Sequence, residues 1–230
     1  MELLNALLDS GKDKANIAPI QGVVIGIVTN NQDPENLGRV KVKFPWLSQE
    51  DESTWARIVA PMAGNNRGAY FLPEVEDEVL VAFERGDLRF PYILGALWNG
   101  KDAPPEKNED GGNHVRSIVS RSGHVIRLND KDGNEKIEII DKSQKNSIVF
   151  DTANNTIKIT TNKDIKLSAP QGAIELDAQT ISIKSSADTK IEAQNLEIKS
   201  SVDTKIEASA GMDINANAAM NLKGATINLN

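Results

Sequence analysis

The chain has no cysteine among its 230 residues, which excludes disulfide bonds and thiolate metal ligands. Aromatic residues make up only 4% of the sequence, and all of them except Phe150 precede residue 100. The first hundred residues can therefore form an ordinary globular core. The rest of the chain depends on Ile, Leu, Ala and Thr for its apolar contacts.

Basic clusters and long apolar runs are also missing. The net charge is −7 and no segment is enriched in Lys and Arg, which argues against nucleic acid as the main partner. No apolar run approaches the roughly 18 residues of a transmembrane helix. Residues 1–18 contain leucine pairs at 3/4 and 7/8 but lack the basic start of a signal peptide, so we expect a short docking segment there.

Residues 19–99 contain five short stretches of β-type alternation, separated by turn residues. The clearest runs from Gly38 to Phe44 and alternates apolar with basic residues. Five strands in this length predict an all-β fold, with an OB-type barrel favoured. We interpret Trp46, Trp55 and Trp98 as barrel core, since a base-stacking platform would need an excess of basic neighbours.

The next two segments differ in composition. Residues 100–115, with their prolines, glycines and charges, predict a linker with nothing to bury. Residues 116–156 predict a β-rich neck, with a hairpin formed by 125–128 and 137–140.

Residues 157–230, which we call the shaft segment, repeat a three-residue unit about every eight residues. Each unit has an apolar residue, then Lys, Glu, Ser or Asn, then an apolar or small residue. The middle residue therefore lies on a solvent-exposed face. Residues 185–193 return almost unchanged at 200–208. A disordered polar chain would lack this regular grid. The predicted core positions are Ile157, Ile159, Ile165, Leu167, Ile174, Leu176, Ile181, Ile183, Ile191, Leu196, Ile198, Ile206, Ile214, Leu222, Ile227 and Leu229.

Such short units have no second layer to cover their apolar face, and no helical pattern supplies one. They are also too short to close a single-chain β-helix, whose coils need roughly 20 residues. We therefore predict an intertwined triple-stranded β-helix made by a homotrimer, in which all strand edges are paired. Between Ser209 and Asn230 only Asp213 and Lys223 are charged, which suits a narrow tip.

The barrel region resembles the OB-fold domain of the phage baseplate assembly protein V and VgrG family. Five motifs carry the resemblance, in the family's order: GRVKVKF at 38–44, WARIVAPMAG at 55–64, GAYFLP at 68–73, DEVLV at 77–81 and PYILGALWNG at 91–100. The shaft segment is similar to the trimeric spike of the same family. One departure is Glu76, which stands where the family often has glycine.

The resemblance implies a central spike of a contractile phage tail baseplate, located in the virion and used to pierce the bacterial outer membrane. It also implies a hub protein at the N-terminal end, expected as a separate protein because only about 20 residues precede the barrel. A small PAAR-type tip protein is expected to contact Ile227, Asn228, Leu229 and Asn230. The alternative is a VgrG-like spike of a type VI or extracellular contractile injection system.

No arrangement of residues predicts catalysis, a cofactor or a metal. The acidic cluster Glu74, Glu76, Asp77 and Glu78 is interpreted as a solvated loop. A trimer would bring three copies of His114, and three of His124, close to its axis, so an ion site on the axis is possible. The last twenty residues contain no histidine, so no metal is expected at the tip. Two other functions compete. A phage polysaccharide lyase or hydrolase would need a carboxylate-lined groove, and an OB-fold nucleic-acid binder would need a basic barrel.

Overall fold

The computed structural model describes residues 19–48 and 51–228. Within them there are twelve β-strands, one 3-10 turn at Glu84–Gly86 and no α-helix, so the predicted all-β class is confirmed. The chain divides into two compact units, Met1–Leu167 and Ser168–Asn230. The predicted docking segment 1–18 and the predicted tip contacts Leu229 and Asn230 lie outside the described residues.

The first sheet forms the barrel. Its strands are β1 (Val23–Asn30), β2 (Lys41–Lys43), β3 (Arg57–Ile58), β6 (Glu78–Phe83) and β7 (Pro91–Ala96), in the order β2-β1-β6-β7-β3. β3 runs parallel to β7, and a pair of backbone hydrogen bonds of 3.0 and 2.7 Å between Val40 and Ala56 links the two edges. A separate hairpin contains β4 (Ala63–Gly64) and β5 (Arg67–Gly68).

Alternation in the strands produces the barrel core. Val40, Val42 and Phe44 are at most 2% exposed, while the intervening basic residues point outward. This follows from the two-residue period of a strand. The core cluster consists of Val28, Val40, Val42, Phe44, Ala56, Val79, Val81, Phe83 and Ile93.

The prediction that the tryptophans form the barrel core is wrong, since none of the three belongs to the cluster of buried core residues. Trp46 is 52% exposed and Trp98 is 69% exposed. Trp55 lies under two cations, with the Lys41 Nζ 5.5 Å and the Arg39 Cζ 5.9 Å from its ring centroid. The interior is filled instead by five valines, Ile93, Ala56, Phe44 and Phe83, which leave no space for a tryptophan ring.

Glu76, the departure noted in the sequence, adopts the left-handed conformation that glycine favours. Its φ is +78°, and its backbone N–H donates to the Val28 carbonyl at 2.8 Å. The turn before β6 therefore keeps the geometry suited to glycine although a side chain is present.

A second sheet, which we call the meander sheet, follows the barrel. It contains β8 (Val115–Val119), β9 (Val125–Asn129), β10 (Lys136–Ile140), β11 (Ser147–Asp151) and β12 (Thr156–Thr160), each antiparallel to the next. The predicted hairpin of 125–128 with 137–140 is present as β9 and β10. Ile157 and Ile159, predicted to open the shaft segment, lie in β12 of this sheet.

The segment between the two sheets is more tightly held than its composition suggested. Glu106 accepts a hydrogen bond from the Arg127 Nε of β9 at 2.9 Å, and its side chain is only 32% exposed. The Asn108 side chain accepts the backbone N–H of Asn113 at 2.7 Å. Within residues 100–113 only Glu106 is half-buried, through its ion pair with Arg127, and the other residues are exposed as the composition suggested.

The unit Ser168–Asn230 has no helix or strand among its described residues 168–228. From Pro170 to Asn228 every described residue is exposed. Taken as a single chain, this unit offers its apolar side chains no partner.

No helix within residues 19–48 and 51–228 has the length and apolar character needed to cross a bilayer.

Candidate functional site

The predicted core positions of the shaft segment are exposed in the single chain. All of those the structure describes lie between 49% exposed, at Ile227, and 74% exposed, at Ile183. A soluble chain rarely leaves so many branched side chains uncovered in a regular row. Leu229, the last of the predicted positions, is outside the described residues.

The meander sheet carries a second set of uncovered apolar side chains. Its strand register aligns Ile118, Ile126, Ile139, Ile148 and Ile159 in one row across all five strands. A neighbouring row on the same face contains Leu128, Ile137, Phe150 and Ile157, with Arg116 at its end on β8. Residues directly opposite one another in a sheet share a face. We call these nine apolar residues the apolar face of the meander sheet.

Burial in this sheet is the reverse of that in an ordinary soluble sheet. Residues of the apolar face are 37–66% exposed. On the opposite face of β9 and β10, the polar residues Arg127 and Glu138 are less exposed, with side chains at 30% and 20%. A single chain gains nothing from this arrangement, since its apolar surface stays in water.

Sequence reasoning placed no site residues in the neck. The signal was present in Ile126 and Leu128, Ile137 and Ile139, and Ile148 and Phe150, which alternate with other residues in three successive strands. The strand register, which the sequence does not give, shows that these pairs belong to one continuous surface.

The two histidines lie at opposite ends of β8 and β9 and are already engaged in local contacts. The Nδ1 of His124 accepts the backbone N–H of Lys142 at 3.2 Å. The Nε2 of His114 lies 3.9 Å from the Asp110 carboxylate. Among the described residues, no group of three or more His, Asp or Glu is arranged to hold a metal ion.

The acidic cluster before β6 is used in local structure. Glu74 accepts both hydrogen bonds of a 3.1 Å ion pair with Arg121, in the turn between β8 and β9. The Asp77 carboxylate accepts the Glu74 backbone N–H at 2.9 Å, and Glu78 accepts from the Asn99 side chain at 3.3 Å. The ion pair with Arg121 links this loop to the meander sheet, whereas the other two contacts are local to the barrel.

The near-verbatim repeat of the shaft segment forms the same turn twice. The Ser185 hydroxyl donates to the Asp188 carbonyl at 2.9 Å, and the Ser200 hydroxyl donates to the Asp203 carbonyl at 2.7 Å. Each turn precedes a Lys–Glu pair on the polar face, Lys190 with Glu192 and Lys205 with Glu207. The polar positions of the repeat are thus satisfied within one chain, whereas the apolar positions are not.

Comparison with known proteins identifies the barrel. Residues 24–98 match the family model of the type VI secretion system/phage-baseplate injector OB domain. The match extends from β1 to two residues beyond β7, and so spans the five strands of the barrel sheet.

Curated relatives extend the similarity past the barrel. The type VI secretion system spike protein VgrG1a of Pseudomonas aeruginosa is 29% identical over 153 residues, 60% of this chain and 23% of the relative. VgrG1b of the same organism is 32% identical over 135 residues, 53% of this chain and 18% of the relative. VgrG3 of Vibrio cholerae is 30% identical over 132 residues, 51% of this chain and 13% of the relative.

These findings confirm the resemblance to the baseplate V and VgrG-like family that the five sequence motifs indicated. The chain spans less than a quarter of the length of each of these relatives.

Proposed function

Because residues 24–98 are an injector OB domain, we propose that the chain is the central spike of a contractile injection machine. It acts as a homotrimer, without enzymatic activity, and pierces the envelope of a target bacterium. The observation that carries this proposal is the row of uncovered Ile and Leu side chains in the shaft segment, 49–74% exposed in one chain. Three intertwined copies would bury these side chains on a common axis and give a stiff needle.

Two machines fit the comparisons. One is a phage tail baseplate, which the description of the matching family includes. The other is a type VI secretion system, to which the curated relatives belong, or a related extracellular injection system. The spike would then be part of the virion in the first machine and of the injection particle in the second. Capsid and terminase genes beside its gene would assign it to a phage.

The proposal includes two protein partners. A hub protein binds at the barrel end of the chain, and a small PAAR-type protein caps the tip at residues 227–230. Ile227, which is 49% exposed in one chain, would contribute to the apolar surface that this cap covers. Deleting residues 222–230 should therefore abolish binding of the cap, and unchanged binding would contradict this part of the proposal.

The function is tested by replacing shaft residues in the producing strain. We expect Ile183→Asp, Ile198→Asp and Ile206→Asp together to abolish infection or target-cell killing, because each places a charge at an apolar position. The matched control is Ser182→Asp, Glu197→Asp and Glu207→Asp, which puts the same residue at the intervening polar positions and should keep activity. Equal activity of the two triple variants would refute a buried axis.

A further inference from the structure

The barrel sheet has a side turned away from the core, and part of that side is apolar. On β6, Leu80 and Ala82 alternate with residues of the core and therefore point outward. Val23 of β1 lies opposite Ala82 and Ile25 lies opposite Leu80, and these two β1 residues are 50% and 47% exposed. Leu94, at the register shift between β6 and β7, is 42% exposed. We call these five residues the outer face of the barrel.

We propose that residues 1–18 of the same chain dock on this outer face and cover it with the side chains of Leu3, Leu4, Leu7 and Leu8. Residues 1–18 lie outside the described part of the chain, so the support comes from their sequence and from the place where Pro19 lies. The docking goes beyond the spike function and does not depend on it.

The outer face and the leucine-rich stretch are both uncharged. Along the strands, charged residues begin one position beyond the outer face, where Ile27 lies opposite Lys43 of β2 and opposite Glu78 of β6. The stretch from Leu3 to Leu8 reads LLNALL and carries no charge. Four leucines within six residues favour an apolar partner in water. Packing them on the outer face would bury apolar surface on both sides and leave no unpaired charge buried.

The described chain begins at the margin of this face. The Ile20 N–H donates to the Gly86 carbonyl at 3.1 Å, and a Cβ on Gly86 would lie 2.5 Å from the Pro19 Cβ. Gly86 follows β6, so Pro19 lies at the end of β6 where Ala82 is paired with Val23. The preceding segment therefore joins the barrel directly beside the outer face.

The connection between the leucines and Pro19 is long enough to return to the face. Residues 9–18 lie between them, and ten residues span up to roughly 33 Å when extended. The outer face extends about 10 Å across three strands and about 7 Å along β1. Residues 9–18 include Gly11 and several charged residues, which suits a connector.

A more exposed apolar surface of the barrel offers a comparison. It surrounds the β4–β5 hairpin, where Met62 and Tyr70 line one cleft together with Asn66 and Arg67. Leucines docked there would meet a guanidinium and an amide, whereas the outer face presents aliphatic side chains alone. The hairpin surface therefore supplies the control position for the experiment.

The test uses the absence of cysteine from the natural chain. In the full-length chain, Ile25→Cys should react with a maleimide at least tenfold more slowly than the same cysteine in a chain that also carries Leu3→Ser, Leu4→Ser, Leu7→Ser and Leu8→Ser. The matched control is Tyr70→Cys on the hairpin surface, which should react at the same rate in both backgrounds. Equal rates for Ile25→Cys, or an equal change at Tyr70→Cys, would overturn the proposal.

A cross-link identifies the chain that supplies the segment. In the double variant Leu7→Cys/Ile25→Cys, a short bis-maleimide should consume both thiols and leave a single-chain band on a denaturing gel. Leu7→Cys/Tyr70→Cys should give only background linkage. Dimer and trimer bands from the first pair would show that the segment docks on another copy, which contradicts docking within one chain. Because the leucines other than Leu7 are kept, this result does not depend on the folding of the serine variant.

The outcomes separate the docking from the proposed function, which is read from the mass of the same samples. A trimer with an unprotected Ile25→Cys would refute the docking and leave the spike function standing. A monomer with a protected Ile25→Cys would refute the spike and support the docking.

Discussion

The barrel and the shaft segment solve the problem of burying apolar side chains in opposite ways. In the barrel, Val40, Val81 and Ile93 are completely buried by residues of their own chain. In the shaft segment, Ile183 and Ile198 remain 74% and 71% exposed. The difference lies in chain geometry, because strands of the barrel sheet return on one another and close through Val40 and Ala56, whereas the shaft units do not. Closure lets one domain fold alone, while an open repeat needs neighbours.

The largest expected effect contrasts a barrel isoleucine with a shaft isoleucine. Ile93→Ala should destabilise the barrel by about 2–5 kcal/mol, because it leaves a cavity among fully buried side chains. Ile206→Ala should leave the same transition within about 0.5 kcal/mol of the natural chain. Denaturant unfolding followed by tryptophan fluorescence measures both variants. An equal loss of stability in the two would show that the barrel and the shaft segment do not differ in this way.

The next largest loss of stability is expected at Gly86, which lies close to the backbone of a neighbouring segment. Gly86 has a φ of +78°, and a Cβ there would lie 2.5 Å from the Pro19 Cβ and 2.9 Å from the Ile20 carbonyl oxygen. Gly86→Ala should therefore destabilise the barrel by about 1–3 kcal/mol. Gly95→Ala is the matched control within β7, since a Cβ there meets no heavy atom within 4 Å. Thermal unfolding compares them, and equal midpoints would contradict the prediction.

Acid should weaken the barrel in part through the carboxylate of Asp33. Hydrogen bonds from Arg39 hold the pKa of Asp33 well below its usual range; burial opposes this, and the backbone N–H groups of Glu35, Arg39 and Leu37 support it. A carboxyl group whose pKa is lower in the folded state adds stability above its unfolded pKa, near 4, and that stability is lost as the pH falls further.

The Asp33→Asn variant tests this. It should be less stable than the natural chain at pH 7 and should lose less stability on going to pH 3. The exposed turn residue Asp132 supplies the control Asp132→Asn, which should follow the natural pH profile. Parallel profiles for the natural chain and Asp33→Asn in pH-dependent unfolding would contradict the assignment.

The smallest expected change is a gain in stability at Glu76. Glu76→Gly should stabilise the barrel by up to about 1 kcal/mol, because glycine adopts the observed φ of +78° without strain. Glu76→Ala removes the same carboxylate but keeps a Cβ, so it should show no gain. A stabilisation shared by both variants in denaturant unfolding would point to charge and away from the backbone.

Much of the barrel was predictable because its strands follow a two-residue period. Val40, Val42 and Phe44 could be assigned to the interior from alternation alone. The exposed Trp46 and Trp98 could not, since size and apolarity favour burial and only the packed volume of the interior excludes them. The left-handed turn at Glu76 was marked only by the resemblance to a family that often has glycine there.

The candidate site was predictable only in part. The repeat period identified the apolar positions of the shaft segment, because they recur locally in the sequence. The apolar face of the meander sheet was missed because it depends on pairings between strands, such as Ile126 with Ile139 and Ile137 with Phe150. Alternation shows which residues share a face within one strand. Only the register between strands shows that the apolar faces of all five strands lie on the same side of the sheet.

If three copies bury the apolar side chains that one chain leaves exposed, the chain must be a trimer in solution, and its mass there decides the matter. Light scattering at micromolar concentration should give three times the 25.0 kDa of one chain. The same species should persist after dilution and in SDS without heating. A mass of 25.0 kDa would rule out a buried trimer axis, because the exposed rows of Ile and Leu would then have no partner.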